Sequence, residues 1–330
     1  MPWPPTASLA TLHQRAQLLG ATRAFFAERG LLEVDTPALV RHAVTDPHLE
    51  NIQVRTSGNH PLFLHTSPEF HMKRLLAAGA PDIWQLGKVF RDGEAGRHHE
   101  PEFTLLEWYR RDYTLARLAD ETCELLAALA KVAEGTGAPP RLSLEPPVHW
   151  TYAGLFTEML GVDPLTAPLI DIQACARKVL GAQLDPGLYR DLGDETSLWL
   201  DLLMSHVVSK RLAATGIAVV TGYPAAQAAL ARLNPADPRV AERFEIFCGG
   251  IEVANGYREL TDAAEQNRRF SAERAFRARL GRRDVVPDPQ LLAALESGLP
   301  DCAGVAVGFD RVVMVLLGLG TLQAAISFPT

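Results

Sequence analysis

The chain has 330 residues, 47% of them hydrophobic, with a formal net charge of −7 and a mean hydropathy of +0.01. That length supports a large buried core, and the acidic balance argues against a protein that tracks along bulk nucleic acid, which needs a basic face. Cys123, Cys175, Cys248 and Cys302 are far apart with no CxxC pair, so neither a disulfide framework nor a zinc site is expected.

The N-terminal MPWPPTASLATLHQRAQ lacks a basic stretch followed by an apolar core, and no apolar run is long enough to cross a bilayer. A soluble, cytoplasmic protein is the expectation. Residues before Ser8 are Pro-rich and are read as flexible. Ser8 is a candidate N-cap. Leu9, Leu12, Ala16, Leu19, Arg23 and Phe26 follow at helical spacing, read as a core face, with Gly30 as the stop. LLEVDTPAL continues as an extended segment closed by Pro37. Two strands around a turn at Ser57-Gly58-Asn59 come next, and a helix opens at Ser67-Pro68-Glu69. Capping chemistry alone accounts for a Ser, Pro and acid at that helix start; a binding role for Glu69 is the competing account.

QLGKVFRDGEAGRHHEPEFTLLEWYR, from Gln85 to Arg110, reads as strand, charged loop (Asp92–Glu100) and strand. Such a hairpin presents a guanidinium, Arg91, and an aromatic ring, Phe103. A nucleoside triphosphate needs both, a fixed cation for its phosphates and a flat face for its base. A Leu-rich helix runs from Thr114 to about Val132, and GTGAPP and EPPVHW then break the chain. Residues from about 135 to 216 read as a helical insertion, with helices near 151–160, 171–180 and 195–213. IAVVTGYP resumes as a buried strand.

In AERFEIFCGGIEVANGYREL, two strands flank a hairpin turn at Gly249-Gly250. Glu245, Glu252 and Glu259 are acids on or beside it, which repel one another unless a cation joins them. Surface acids on an antiparallel pair are the alternative. Residues 261–283 form an Arg-rich helix, read as a solvated face or a contact for an acidic partner. Finally, PDCAGVAVGFDRVVMVLLG places an apolar strand before Asp310-Arg311 at a helix start. A buried Arg there demands anionic partners.

These stretches, in this order, resemble the three motifs of class II aminoacyl-tRNA synthetases. The helix, extended segment and Pro37 resemble motif 1, which builds a homodimer interface. Phe90-Arg91 with Arg97-His98-His99-Glu100-Pro101-Glu102-Phe103 resembles motif 2, and Gly304 to Arg311 motif 3. The implied fold is α+β, an antiparallel sheet flanked by helices, as a single catalytic domain over 1–330 with the insertion inside it. The resemblance implies catalysis by Arg91 on the α-phosphate and Arg311 on the γ-phosphate. It implies further ATP contacts from Asp92, Gly93, Glu100, Phe103, Glu252, Val253 and Gly308, with Mg²⁺ held by Glu252 and Glu259. Amino-acid contacts fall to Ser67, Pro68, Glu69, Glu107, Tyr109, Asn255, Glu259 and Ala306.

HTSPEFHMKRLL, RHHEPEFTLLEWYR, GIEVANGYRELTDA and PDCAGVAVGFDR are similar to the elongation factor P lysine ligase family, a paralogue of lysyl-tRNA synthetase. That family uses ATP to activate (R)-β-lysine and passes it to a lysine of elongation factor P. Motif 1 begins almost at residue 9, so an anticodon-binding domain, and recognition of a tRNA anticodon, are not expected. Ala306 stands where lysyl-tRNA synthetases have Gly. Motif 2 departs from its relatives, which read Arg-x-Glu: Gly93 takes the Glu position with Glu94 after it, and Glu100 takes an Asn position. The rival readings are a truncated lysyl-tRNA synthetase acting on tRNA and a non-catalytic module that binds amino acid or partner. An ammonia-dependent asparagine synthetase fits an acid-rich pocket poorly.

Overall fold

The structure is a computed structural model that describes residues 3–57, 60–138, 142 and 146–330. Gly58 and Asn59 of the expected turn, Pro139 and Pro140 of the first chain break and Glu145 of the second lie outside the described residues. The chain divides into two compact units, residues 1–141 with 259–330, and residues 142–258. The insertion helices therefore group with the strands that follow them.

In the first unit the strands run in the order Leu32–Glu33, Ile83–Phe90, Glu102–Arg111, Cys302–Gly308. The first pair is parallel and the next two antiparallel. Period-two alternation sorts LLEWYR onto two faces. Trp108 and Arg110 point one way, where Trp108 packs on Phe26 (5.1 Å between centroids) and both side chains bond Glu121 of the helix Leu115–Gly135. Glu107 and Tyr109 point the other way.

The first helix, Leu9–Glu28, is capped as expected by Ser8, whose hydroxyl accepts from the Thr11 N–H at 3.0 Å. Its buried face is different from the expected one. Thr11, Leu18, Thr22, Phe25 and Phe26 are buried, whereas Leu9 is 71% exposed and Ala16 and Arg23 face solvent. Two threonines in the core stripe, one of them (Thr22) bonded back to the Leu18 carbonyl at 2.9 Å, hid the true face from an apolar count. The Pro-rich start is anchored from Thr6 onward. Thr6 and Ala7 donate to the carbonyls of Ser327 and Ile326, and Ala7 is buried.

The second unit orders its strands Ile251–Arg258, Arg243–Cys248, Ile217–Thr221, Val148–Thr151. Helices Tyr152–Leu160, Leu169–Leu180 and Thr196–Leu203 share an apolar core with them around Tyr152, Phe156, Trp199 and Tyr223. Gly249 and Gly250 both have positive φ (56° and 79°), as the two-residue hairpin turn requires.

Candidate active site

An acid-lined slot opens on the Glu107 face of the first unit. The helix Glu69–Ala77 begins after Ser67, whose hydroxyl accepts from the Glu69 N–H at 3.0 Å and donates to Glu107 at 2.8 Å. Capping and binding are thus not alternatives for Ser67, because one hydroxyl serves the helix and the slot. Pro68 is buried beneath it. The Tyr109 hydroxyl donates to the other oxygen of Glu107 at 2.7 Å. Antiparallel register sets Ala306 opposite Glu107 and Gly304 opposite Tyr109, on the same face.

Glu259 lies at the end of this slot, 1% exposed, with Lys73 2.6 Å from it and 2.6 Å from Glu69. Burial and the nearby Glu69 push the Glu107 carboxyl up to about 8, against the hydroxyls that favour its ionised form. Burial also raises Glu259, although Lys73 opposes this. Three carboxylates against one ammonium leave the slot short of positive charge. A substrate ammonium supplies what is missing.

The sign of the resulting pH dependence follows. An ammonium binds the ionised form of Glu107, which below about pH 8 must first lose a proton. The KM for a diamino acid should therefore fall as pH rises from 6 to 8, by up to about tenfold per unit. Glu107→Gln should flatten that slope, as steady-state kinetics across this range will show.

At the other end of the hairpin, Arg91 stacks over Phe103, 5.0 Å from guanidinium carbon to ring centroid. Its Nη1 reaches Glu94 at 3.5 Å, and its Nε is buried with no partner. Glu94 in turn lies 3.8 Å from His99, and Arg311 donates to His99 at 2.8 Å and to the His98 carbonyl at 3.2 Å. One loop, 92–100, thus links the two arginines. An orphaned buried N–H on a cation beside an aromatic face suits a phosphate and a base. Gly93, at φ +74°, turns the loop so that Glu94 comes back toward Arg91. Asp92 is exposed, its backbone N–H bonded to the Glu50 carbonyl. Glu100 is buried, holding the Gln323 amide at 2.6 Å and the Thr330 N–H at 3.1 Å. Its carboxylate is committed to the C-terminal segment.

Arg311 is not the buried charge that the sequence leads one to expect. Arg311 is only partly buried, and the buried charge at this helix start is Asp310, at 1% exposure. Asp310 pairs with Arg15 at 2.5 Å and accepts from the Thr104 N–H at 2.7 Å, tying the helix Phe309–Leu316 to motif 2. Gly308 lies directly before that helix, where a Cβ would only touch the stem of Arg311, at 3.6 Å from its Cδ.

Within the second unit, strand pairing skips Val253: Ile246 faces Ala254, and Phe247 faces Glu252. On a regular strand, residues three apart point to opposite faces. The extra residue puts Glu252 and Asn255 on one face, with Glu245 opposite Asn255. Burial and the neighbouring Glu252 raise the Glu245 carboxyl, while Arg243 and Tyr223 lower it. Asn255 accepts from Arg243 at 3.2 Å and donates to Tyr257 at 3.0 Å. Among the described residues no three His, Cys, Asp or Glu side chains are grouped closely enough to hold a metal alone. Glu245 has both oxygens taken, one by Arg243 at 2.5 Å and the other by the Tyr223 hydroxyl at 2.6 Å, and Glu259 is clamped by Lys73. Mg²⁺ at this place would therefore draw mainly on the phosphate oxygens it arrives with, with Glu252 as the protein carboxylate toward it.

Lys73 has no role in the sequence reading, and Gly304 enters it only as the start of motif 3. A Glu69-x-x-x-Lys73 spacing is visible in the chain, but such pairs usually lie in solvent. The importance of Gly304 emerges only from its register opposite Tyr109.

The model for tRNA synthetases class II (D, K and N) matches residues 6–330. The chain is 44% identical over 333 residues to the elongation factor P–(R)-β-lysine ligase of Vibrio parahaemolyticus, covering 99% of this chain and 98% of that one. It is 45% identical over 334 residues to the Vibrio vulnificus protein of the same name, with the same coverage. The Yersinia enterocolitica protein of that name is 42% identical over 332 residues, covering 99% and 97%.

Proposed function

The chain belongs to the class II tRNA synthetase family of the D, K and N type, and we propose that it activates (R)-β-lysine with ATP and transfers it to a lysine ε-amine of elongation factor P. The observation that carries this reading is near-full-length likeness to proteins of that name, joined to a slot whose buried carboxylates outnumber its cations.

In the first step the substrate carboxylate attacks the α-phosphorus and pyrophosphate leaves. Arg91 meets the α-phosphate and Arg311 the γ-phosphate, so fixed positive charge opposes the charge that develops. Phe103 offers the face for adenine. Asp92, Gly93, Glu100 and Gly308 contribute backbone around the nucleotide, and Glu94 takes the place left by Gly93. Ser67, Pro68, Glu69, Glu107, Tyr109, Glu259 and Ala306 form the amino-acid slot, in which Glu69, Glu107 and Glu259 receive ammonium groups. The class II resemblance assigns Glu252 and Val253 to ATP and Asn255 to the amino-acid carboxylate. Mg²⁺ bound by the phosphates, with Glu252 toward it, would add charge neutralisation. In the second step the acceptor ε-amine attacks the mixed anhydride and AMP leaves.

The chain works as one catalytic domain in this reading, and as a homodimer. Leu9, Leu32 and Leu39, on the elements that resemble motif 1, are exposed apolar side chains that such an interface would cover. No helix among the described residues is long and apolar enough to cross a membrane, which suits the cytoplasm, where elongation factor P acts.

Mass spectrometry of elongation factor P incubated with the protein, ATP and each lysine isomer tests the reading. A gain of one lysyl residue, largest with (R)-β-lysine, is expected. Charging of tRNA without modification of the factor would replace the acceptor. Absence of ATP–pyrophosphate exchange with every isomer would leave only a binding module.

Ala306 adds one methyl to the slot directly opposite Glu107. One methyl in a tight site is worth ~1–3 kcal/mol of discrimination. Ala306→Gly should raise activity with α-lysine relative to β-lysine, roughly 10-fold or more. Competition kinetics with the two isomers will measure the ratio, and an unchanged ratio removes Ala306 from the specificity argument.

A further inference from the structure

Lys73 is a lysine 2% exposed. Its long stem ordinarily carries the ammonium out to water. Here it sits four residues after Glu69 on one helix face, and its Nζ bridges Glu69 and Glu259 at 2.6 Å each. The third carboxylate of the slot, Glu107, is held differently, by the hydroxyls of Ser67 and Tyr109. The three acids therefore divide into a pair fixed by a cation and one fixed by neutral donors.

We propose that Lys73 is a positioning residue of the amino-acid slot: clamped between Glu69 and Glu259, it holds both carboxylates in the geometry that receives a diamino acid and places the one ammonium between them. Without Lys73, Glu69 and Glu259 face each other in a buried site with no cation between them. They then separate or take up a proton, and either response spoils the slot. This inference rests on reading the slot as a diamino-acid site.

The test compares wild type with Lys73→Met, which keeps the length and apolar stem, in ATP–pyrophosphate exchange. KM for β-lysine should rise about 100-fold or more, while KM for ATP stays within about threefold. Ammonium, a cation that fits the space left by the Nζ, should restore part of the affinity for β-lysine. An unchanged KM for β-lysine overturns the proposal. So does a parallel rise in both KM values that ammonium leaves untouched, since that marks a merely structural lysine. If Lys73→Met fails to fold, Lys73→Gln, which keeps an N–H donor, carries the same comparison. Wild-type protein that shows no exchange with any lysine isomer would instead end the functional reading, independently of Lys73.

Discussion

Gly304→Ala should abolish amino-acid-dependent adenylate formation, with a fall of about 100-fold or more in kcat/KM for β-lysine. A Cβ at this position would lie 2.5 Å from Cδ1 of Tyr109, closer still to its Cε1, and 2.6 Å from Oε1 of Glu259. Neither neighbour can yield cheaply. Tyr109 is 2% exposed and its hydroxyl is bonded to Glu107. Glu259 is 1% exposed and held by Lys73. One methyl therefore pushes on both walls of the slot at once, and through them on Glu107 and Lys73. The lesion is local, because Gly304 has no positive φ to lose and its strand pairing with Tyr109 stays available to alanine. Nucleotide affinity, measured by calorimetry with a non-hydrolysable ATP analogue, should change little. Retained kcat/KM for β-lysine would show that the Tyr109 and Glu259 positions are not needed for the substrate.

What the sequence made legible was chemistry decided locally. Ser8 caps its helix, Gly249-Gly250 turn a hairpin, and the strands of motif 2 alternate so that Glu107 and Tyr109 share a face. Such features depend on one residue's backbone preference or on a period of two. Features set by packing were not legible. The first helix buries a stripe containing Thr11 and Thr22, which an apolar count passes over. Which member of the Asp310-Arg311 pair goes inside is settled by Arg15, almost 300 positions away. The bulge at Val253 leaves no local mark, yet it decides that Glu252 shares a face with Asn255. The ion pair of Glu259 was hidden for the same reason. Counting along a strand cannot foresee a partner such as Lys73, 186 positions earlier in the chain.

Arg91→Ala should cost about 10³-fold or more in the rate of ATP–pyrophosphate exchange, the largest loss expected of any single substitution here. The guanidinium is set against Phe103, and its buried Nε has no partner among the described residues. A donor left unsatisfied in this way is already desolvated, so bonding to a phosphate oxygen gains almost the full strength of a charge-assisted hydrogen bond. The loss should appear mainly in kcat, because charge on the α-phosphate region grows as pyrophosphate departs. Arg91→Lys should recover little, since a point charge on a flexible stem reproduces neither the fork of donors nor the stacking on Phe103. Glu94→Gln separates two roles for the loop. If Glu94 only shields Arg91 before ATP arrives, removing its charge tightens ATP binding. If Glu94 takes the place left by Gly93 at the nucleotide, the same change weakens ATP binding and slows exchange. Arg91→Ala protein that exchanges pyrophosphate at the wild-type rate would contradict any account in which this hairpin carries the chemistry.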